Sequence, residues 1–333
     1  MKAAILHKNG DPTTAEVVSV LDAAEIPTAG AGEVLVQVKC ASMNPVDWKL
    51  MKGDFPGNKG GPVGLDVSGV VSAIGPDTTT SLQVGDEIYA DSIETGGGSF
   101  AEYVRVQAVG AAKKPKNLDF RQAAAMPLAG LTALQGLVTH GGFAEGQTVC
   151  ILGGSGGVGS LAIQMAKAMG ASHIYATGSS VDFIKGCGAD TVINYKETNV
   201  AEALKGKDLD LIFDCAGGYD GWLAAQGGLK KKGGKFVTIV GDGGSLPIML
   251  MGIAWRKFMS MFMGPAYILF LTNTKAPTVE TDFAKLTELI ETGKVKPLLE
   301  EKKFELTTES LHEMIKASMS HRTKGKLIMT ITK

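Results

Sequence analysis

No C-x-x-C pair occurs in this chain: its four cysteines, Cys40, Cys150, Cys187 and Cys215, are scattered. That spacing excludes a zinc ribbon and a redox dithiol, and separate thiols of this kind fit a reducing compartment. Cys150 and Cys215 fall in the apolar runs TVCIL and DLIFDC, where a buried, inert thiol is expected. The five histidines form no H-E-x-x-H or other i, i+4 pair, so a helix-borne zinc site is not supported. A surplus of positive charge is lacking too. Lys and Arg number 33 against 34 Asp and Glu, a formal net charge of −1, which leaves no broad basic field for nucleic-acid phosphates. A membrane-length apolar run is also missing. Residues 246–271 are mostly apolar, but Arg256 and Lys257 interrupt them and Pro247 and Pro265 punctuate the ends. The longest unbroken piece falls short of the roughly 20 residues a span requires. The N-terminal MKAAILHK reaches charge at His7 and Lys8 and has neither the apolar core of a signal peptide nor the composition of a transit peptide. The expectation is a cytoplasmic protein, with organelle association lacking a recognisable cleavable signal as the alternative.

Glycine is what the chain has in excess. It numbers 44 among 333 residues, about 13% against a usual level of roughly 7%. With 12 prolines and no G-X-Y period, collagen is excluded, and the glycines belong to turns and close backbone approaches. A hydrophobic content of 44% fits a sizeable core, and the length fits about two domains. The composition points to an α/β enzyme.

The first 110 residues read as strands broken by glycine-rich turns. Residues 33–39 (EVLVQVK) and 100–106 (FAEYVRV) alternate polar and apolar, as half-buried strands do. Residues 67–73 and 87–90 are two more strands, with turns at 29–32, 57–61, 75–76 and 96–98. This is a mostly β region. Asp119 then caps a helix beginning at Phe120, and LAGLTALQGLVTH reads as a further helical piece. From Thr148 the pattern alternates: strand TVCIL, helix 158–169, strand HIYAT, a helix through Phe183, strand TVINY, a helix near 200–204, strand DLIFDC, a helix from Trp222, strand KFVTIV. Such alternation implies right-handed βαβ units and a doubly wound parallel sheet. The tail is mixed, with a helix at 282–292, a strand near Leu298, a helix at 308–318 and a strand at 326–332. The expected domains are 1–123 joined with 273–333, and 124–272.

Residues 151–159 read ILGGSGGVG, placing G-x-G-x-x-G at Gly154, Gly156 and Gly159 between a strand and a helix. In that context the match is a strong dinucleotide-binding signal. Gly154, Ser155, Gly156, Gly157, Val158 and Gly159 are the expected pyrophosphate cradle, since glycine permits both the tight turn and the close approach. An NAD site usually has Asp or Glu at the end of the second strand to hold the ribose 2′-OH. Here Gly178, Ser179 and Ser180 follow that strand, which favours NADPH over NADH. Small hydroxyls leave room for a 2′-phosphate and can donate to it, although Ser179 and Ser180 could equally cap the next helix. Lys185 and Tyr195 could complete that site, and Val240, at the end of KFVTIV, belongs to the cofactor-binding set.

Several stretches together resemble the zinc-free medium-chain dehydrogenase/reductase superfamily, in its quinone oxidoreductase (zeta-crystallin-like) branch. They are 44–49 (NPVDWK) with Gly53, 64–75 (GLDVSGVVSAIG), 85–90 (GDEIYA), 130–137 (GLTALQGL), 153–159 and 188–195 (GADTVINY). They run in family order and cover essentially the whole chain; NPVDWK and GLTALQ are most similar to chloroplast-envelope quinone oxidoreductase homologues and related enone reductases. The resemblance implies a GroES-like, mostly β catalytic domain, a Rossmann domain, a nicotinamide in the cleft between them, and a homodimer formed through the edge of the Rossmann sheet at 266–272. An exposed apolar edge strand independently favours association. By the same resemblance, this chain departs from the zinc-dependent members: Asn44 stands where they have a cysteine ligand and Leu65 where they have a histidine, so no metal is expected.

The implied chemistry is NADPH-dependent hydride transfer to the activated C=C of an α,β-unsaturated carbonyl or to a quinone. Negative charge then develops on the carbonyl oxygen and needs a donor. Relatives often have a tyrosine two residues beyond NPVD; here Trp48 and Lys49 follow Asp47, and Lys49 is the candidate oxyanion or proton donor. Asn44 is the second catalytic candidate, placed at the substrate oxygen or the nicotinamide. Asp47 is expected to orient Lys49 or a turn. Thr132, in G-L-T-A, is expected on the nicotinamide side, and Asp66 is given no catalytic step. Met249, Met251, Met259, Met261 and Met263 could line a pocket for a small apolar enone or quinone, or pack in a core. Two rivals remain: a 2-enoyl thioester reductase, which would need a basic patch, and an NADPH-binding regulatory protein with little turnover.

Overall fold

The computed structural model describes residues 1–54, 60–241, 251, 252, 254–256, 258 and 264–332. The turn expected at 57–61 lies partly outside them, as do Pro247 and Lys257, and Met249, Met259, Met261 and Met263 lie wholly outside. Met251 is described, and it is 65% exposed. The chain divides into two compact units: Met1–Leu131 with Asn273–Thr292 and Pro297–Lys333, and Thr132–Thr272 with Gly293–Lys296.

The first unit holds β1 (Ala3–Leu6), β2 (Val18–Leu21), β3 (Glu33–Ser42), α1 (Pro45–Lys52), β4 (Gly61–Pro62), β5 (Asp66–Ile74), β6 (Glu87–Asp91), β7 (Tyr103–Gln107), β8 (Ala111–Lys113) and α2 (Phe120–Ala124). Strand β3 pairs antiparallel with both β5 and β7. Its alternation puts Val34, Val36 and Val38 wholly in the core. Helix α1 interrupts the region read as mostly β. The cause is local: Pro45 opens the helix, and the Asp47 carboxylate accepts the Asn44 backbone N–H at 2.6 Å. Asp119 caps α2, accepting from the Gln122 N–H at 2.7 Å.

Helix α3 (Pro127–Leu134) runs into a π-helical stretch, Gln135–His140, where the sequence predicts one continuous helix. The Phe213 ring lies so close to Gly136 that an added Cβ would stand 2.4 Å from it, so the wide turn is packed around an aromatic side chain.

The second unit is an α/β alternation: β9 (Thr148–Leu152), α4 (Gly157–Ala168), β10 (His173–Thr177), α5 (Val181–Gly186), β11 (Thr191–Ile193), α6 (Val200–Leu204), β12 (Leu211–Asp214), α7 (Gly218–Ala225), β13 (Lys235–Thr238) and β14 (Ala266–Leu269). All adjacent strands are parallel, in the order β11-β10-β9-β12-β13-β14. This is the doubly wound sheet expected from the sequence. The chain reverses its direction of travel between β9 and β12, the switch point where such sheets open a crevice beyond their carboxyl ends. Helix α7 starts four residues before the expected Trp222, with Asp214 gathering the N–H groups that precede it.

In the tail, α8 (Thr278–Glu291) begins four residues earlier than the expected Asp282, because Val279 is already buried on the same face as Phe283 and Leu286. It is followed by β15 (Phe304–Glu305), α9 (Thr308–Met319) and β16 (Ile328–Thr330). No strand forms at Leu298; a single bridge between Leu299 and Lys326 takes its place. Strand β16 joins the first unit by pairing antiparallel with β3.

Candidate functional site

In the second unit, the turn after β9 is tied to the end of β10. The N–H of Gly154 donates to the Thr177 carbonyl at 2.8 Å, and that of Gly153 to the Thr177 hydroxyl at 3.1 Å. The glycines have distinct tasks. A Cβ on Gly159 would stand 2.2 Å from the Gly153 carbonyl oxygen, so only glycine lets α4 approach its strand so closely. Gly153 is left-handed, at φ 84°, and packs against Ala216. At Gly156, the N-cap of α4, nothing lies closer than 3.6 Å to an added Cβ, which leaves open space over the first turn. No side chain caps α4, so Gly157, Val158 and Gly159 present a helix N-terminus suited to an anion.

Across the switch point, Asp214 closes β12. Its carboxylate accepts the N–H groups of Ala216, Gly217 and Gly218 and the Thr238 hydroxyl, all within 3.1 Å. Burial nevertheless pushes its carboxyl above the usual range. Thr238 in turn accepts from the Val240 N–H, and Val240 packs over Gly218. Val240 is therefore brought to the Asp214 loop. Ser179 and Ser180 follow β10, and Tyr195 follows the neighbouring β11, so all three lie at one end of the sheet. Ser180 occupies the N-cap position of α5 without using its hydroxyl, and neither serine hydroxyl has a partner among the described residues. Gly178 keeps this corner open, since a Cβ there would meet Ile184 at 2.4 Å and stand 3.8 Å from the Ser155 hydroxyl. Lys185 is exposed on α5, and Tyr195 is 57% exposed. The Thr132 hydroxyl lies 2.6 Å from that of Thr272.

In the first unit, Asn44 is the N-cap of α1 and Lys49 lies in its last turn. Trp48 anchors the helix, donating from its indole to Ser318 on α9 at 3.1 Å. Lys49 is half-buried, with Nζ 5.7 Å from the centre of the Trp48 ring. Asn44 is buried and committed. Its Nδ2 donates to Asp66 at 2.8 Å, while its Oδ1 accepts from the Lys326 ammonium at 2.6 Å. Asp66 also accepts from Lys326, Ser42 and the Leu128 N–H. Asp47 does not reach for Lys49: one carboxylate oxygen holds the Asn44 N–H and the other has no partner among the described residues. Burial, reinforced by the nearby Asp66 carboxylate, pushes Asp47 up to about 8, against the Asn44 N–H and Lys326, which pull it down. Asp91, opposite Asp66 in the β5–β6 ladder, is likewise raised by burial and by Asp66.

Thr177, Asp214 and Lys326 were not singled out in the sequence. The available signals were slight: a hydroxyl and a carboxylate that each end an apolar strand, and one lysine opening another.

A dehydrogenase zinc would need three or more soft, imidazole or carboxylate ligands together. Among the described residues no such group of His, Cys, Asp and Glu could hold a metal ion. Burial raises the thiols of Cys40 and Cys187 to about 11, away from the thiolate a metal requires. The carboxylate of Asp66 is already matched by an ammonium. These residues do not fit a zinc ion.

Two family models match the chain: "Alcohol dehydrogenase GroES-like domain" over residues 30–116 and "Zinc-binding dehydrogenase" over residues 187–329. A 2-methylene-furan-3-one reductase of Solanum lycopersicum is 35% identical over 83% of this chain and 66% of its own length. An NADPH-dependent alkenal/one oxidoreductase, chloroplastic, of Arabidopsis thaliana is 36% identical over 83% of this chain and 67% of its own. The chain thus spans about two thirds of the length of these relatives. The quinone oxidoreductase of Coxiella burnetii shares the fold with a TM-score of 0.84 and 27% identity, over 100% of this chain and 99% of that one. The GroES-like first unit, the Rossmann-type second unit and these likenesses together show that the chain belongs to the medium-chain dehydrogenase/reductase superfamily, in its quinone oxidoreductase branch.

Proposed function

We propose that this chain is an NADPH-dependent, zinc-independent reductase of the activated C=C bond of α,β-unsaturated carbonyls, or of quinones. The observation that carries the cofactor choice is the end of β10, where two serine hydroxyls without partners among the described residues stand in place of a carboxylate. A carboxylate would repel a 2′-phosphate; hydroxyls donate to it. The open first turn of α4 suits the pyrophosphate, with Gly156 leaving space and Ser155 beside it. The names of the tomato and Arabidopsis relatives support the substrate class. When bound, NADPH supplies the hydride, delivered to the β-carbon of an enone.

The residues of this chain position and polarise. Lys49 donates to the carbonyl oxygen as charge develops there, or delivers the proton to the α-carbon. Asn44 offers its second amide N–H to the substrate oxygen or to the nicotinamide side. The fourfold-bonded Asp214 and the Thr177 hydroxyl hold the two loops that meet the cofactor. Lys185 and Tyr195 are proposed to close around the 2′-phosphate, and Thr132 is proposed on the nicotinamide side.

A single-turnover reaction of 4,4-dideuterated NADPH with a medium-chain enone tests this directly. Deuterium should appear at the β-carbon of a saturated ketone, and Lys49→Ala should slow the step on the order of 100-fold. NADPH binding without product would exclude the alkene reading and turn attention to quinones and then to a regulatory role.

A further inference from the structure

We propose that Lys326 is a positioning residue: its ammonium, clamped between Asp66 and the Asn44 amide, fixes which way that amide faces. An ammonium has three N–H donors, and all three are used, on Asp66 at 3.1 Å, Asn44 Oδ1 at 2.6 Å and the Met43 carbonyl at 3.2 Å. It has none left for a substrate, so its action runs through Asn44. Its side chain is 6% exposed and that of Asp66 is fully buried, so water does not screen the pair.

The clamp works because an asparagine amide has two nearly isosteric ends. One end meets a cation and the other an anion. Turning the amide over would put its NH2 against the ammonium and its carbonyl against the carboxylate, so charge on both sides selects one orientation. In that orientation one Asn44 N–H is spent on Asp66 and the second has no partner among the described residues. That second N–H is the donor that the arrangement presents.

Each jaw is held independently of the other. The Lys326 backbone is bonded on both sides, donating to Leu298 at 2.8 Å and accepting from Glu300 at 2.9 Å. Gly325 is left-handed at φ 80°, and a Cβ there would stand 2.1 Å from the Leu298 carbonyl oxygen, which pins the approach to Lys326. Asp66 is fixed by the Ser42 hydroxyl and the Leu128 N–H, each at 2.8 Å. The amide therefore has little room to follow a displaced partner.

The catalytic part of this inference rests on the proposed role of Asn44, and the test separates the two. The full-length chain labelled with [15N]asparagine is examined by side-chain amide NMR, with the Asn44 pair assigned by its absence from Asn44→Asp. In the wild type, one proton of the pair should exchange with solvent at least about tenfold more slowly than those of exposed asparagines. That protection should be lost in Lys326→Met. Because that variant leaves a buried carboxylate unmatched and could fail to fold, Asp66→Asn/Lys326→Met, which removes both charges at nearly constant volume, carries the same test. With NADPH and an enone, the folded variants should lose at least about tenfold in kcat, with the KM for NADPH within about twofold of wild type. An unchanged Asn44 resonance pair, or wild-type kcat, in the folded double variant overturns the clamp. A wild type with no turnover on enones or quinones overturns the functional reading alone, and the exchange measurement still decides the clamp.

Discussion

Asp47 shows how a residue can serve structure at an electrostatic cost. It caps α1 through the Asn44 N–H, yet it is 2% exposed, one of its oxygens has no partner among the described residues, and its carboxyl is pushed up to about 8. A carboxyl raised in the folded state binds its proton more tightly there than in the unfolded chain. Its contribution to stability therefore falls as pH rises through the window from about 4 to about 8, and is flat above. Asp47→Asn keeps an acceptor for the cap and removes the titration. Relative to wild type, the variant should gain stability from pH 5 to pH 8, at a slope on the order of 1 kcal/mol per pH unit, as read from denaturant midpoints. Equal slopes for the two proteins would place the Asp47 carboxyl at an ordinary value. In the sequence, N-P-V-D assigns Asp47 to Lys49 or a turn and does not reveal the cap. The burial that raises Asp47 is not legible there either, because it is set by the tertiary packing around α1 and not by its neighbours in the chain.

At the scale of an element, the turn before α4 separates two uses of glycine. Gly159→Ala drives a Cβ into the Gly153 carbonyl oxygen, so it should destabilise the chain by about 1–3 kcal/mol and abolish NADPH binding with it. Gly156 has an ordinary negative φ of −73° and open space, so Gly156→Ala should fold with wild-type stability and lose only affinity for NADPH. Thermal unfolding without cofactor, beside NADPH fluorescence titration, distinguishes them; equal effects of the two substitutions on stability would refute the assignment. This element was legible because strand, glycines and helix are contiguous. Helix α1 was not legible in the sequence, where this region reads as mostly β. Its fixed position comes from Trp48 meeting Ser318, 270 residues away. The strand expected at Leu298 failed for the opposite reason: apolar residues were present, but only one bridge partner, Lys326, stands opposite.

For the whole molecule, the outer edge of β14 bears on assembly. The strand pairs with β13, and no strand among the described residues pairs with its other side. Ala266 and Phe270 turn their N–H groups inward, to Gly234 and Thr238, so the alternation directs that of Leu269 outward. Leu271 beside it is 82% exposed. A second copy of the chain pairing there is the expected occupant, since an apolar edge left open invites association. Leu269→Pro removes one outward N–H without touching the inward ladder. Sedimentation should then show a dimer for the wild type and a monomer for the variant; a monomeric wild type would end the proposal.

The sequence alone determined the two kinds of fold, the alternation of strands and helices in the second unit, and the glycine turn with its serines, because each depends on neighbours within about thirty residues. Tertiary structure alone decided what surrounds Asn44. Its partners come from β5 and from just before β16, and Lys326 lies 260 residues from Asp66 along the chain. A lysine that opens an apolar run gives no local sign of the charge it will meet. Only folding brings that ammonium and carboxylate together out of water, where each needs the other and where the amide between them acquires its direction.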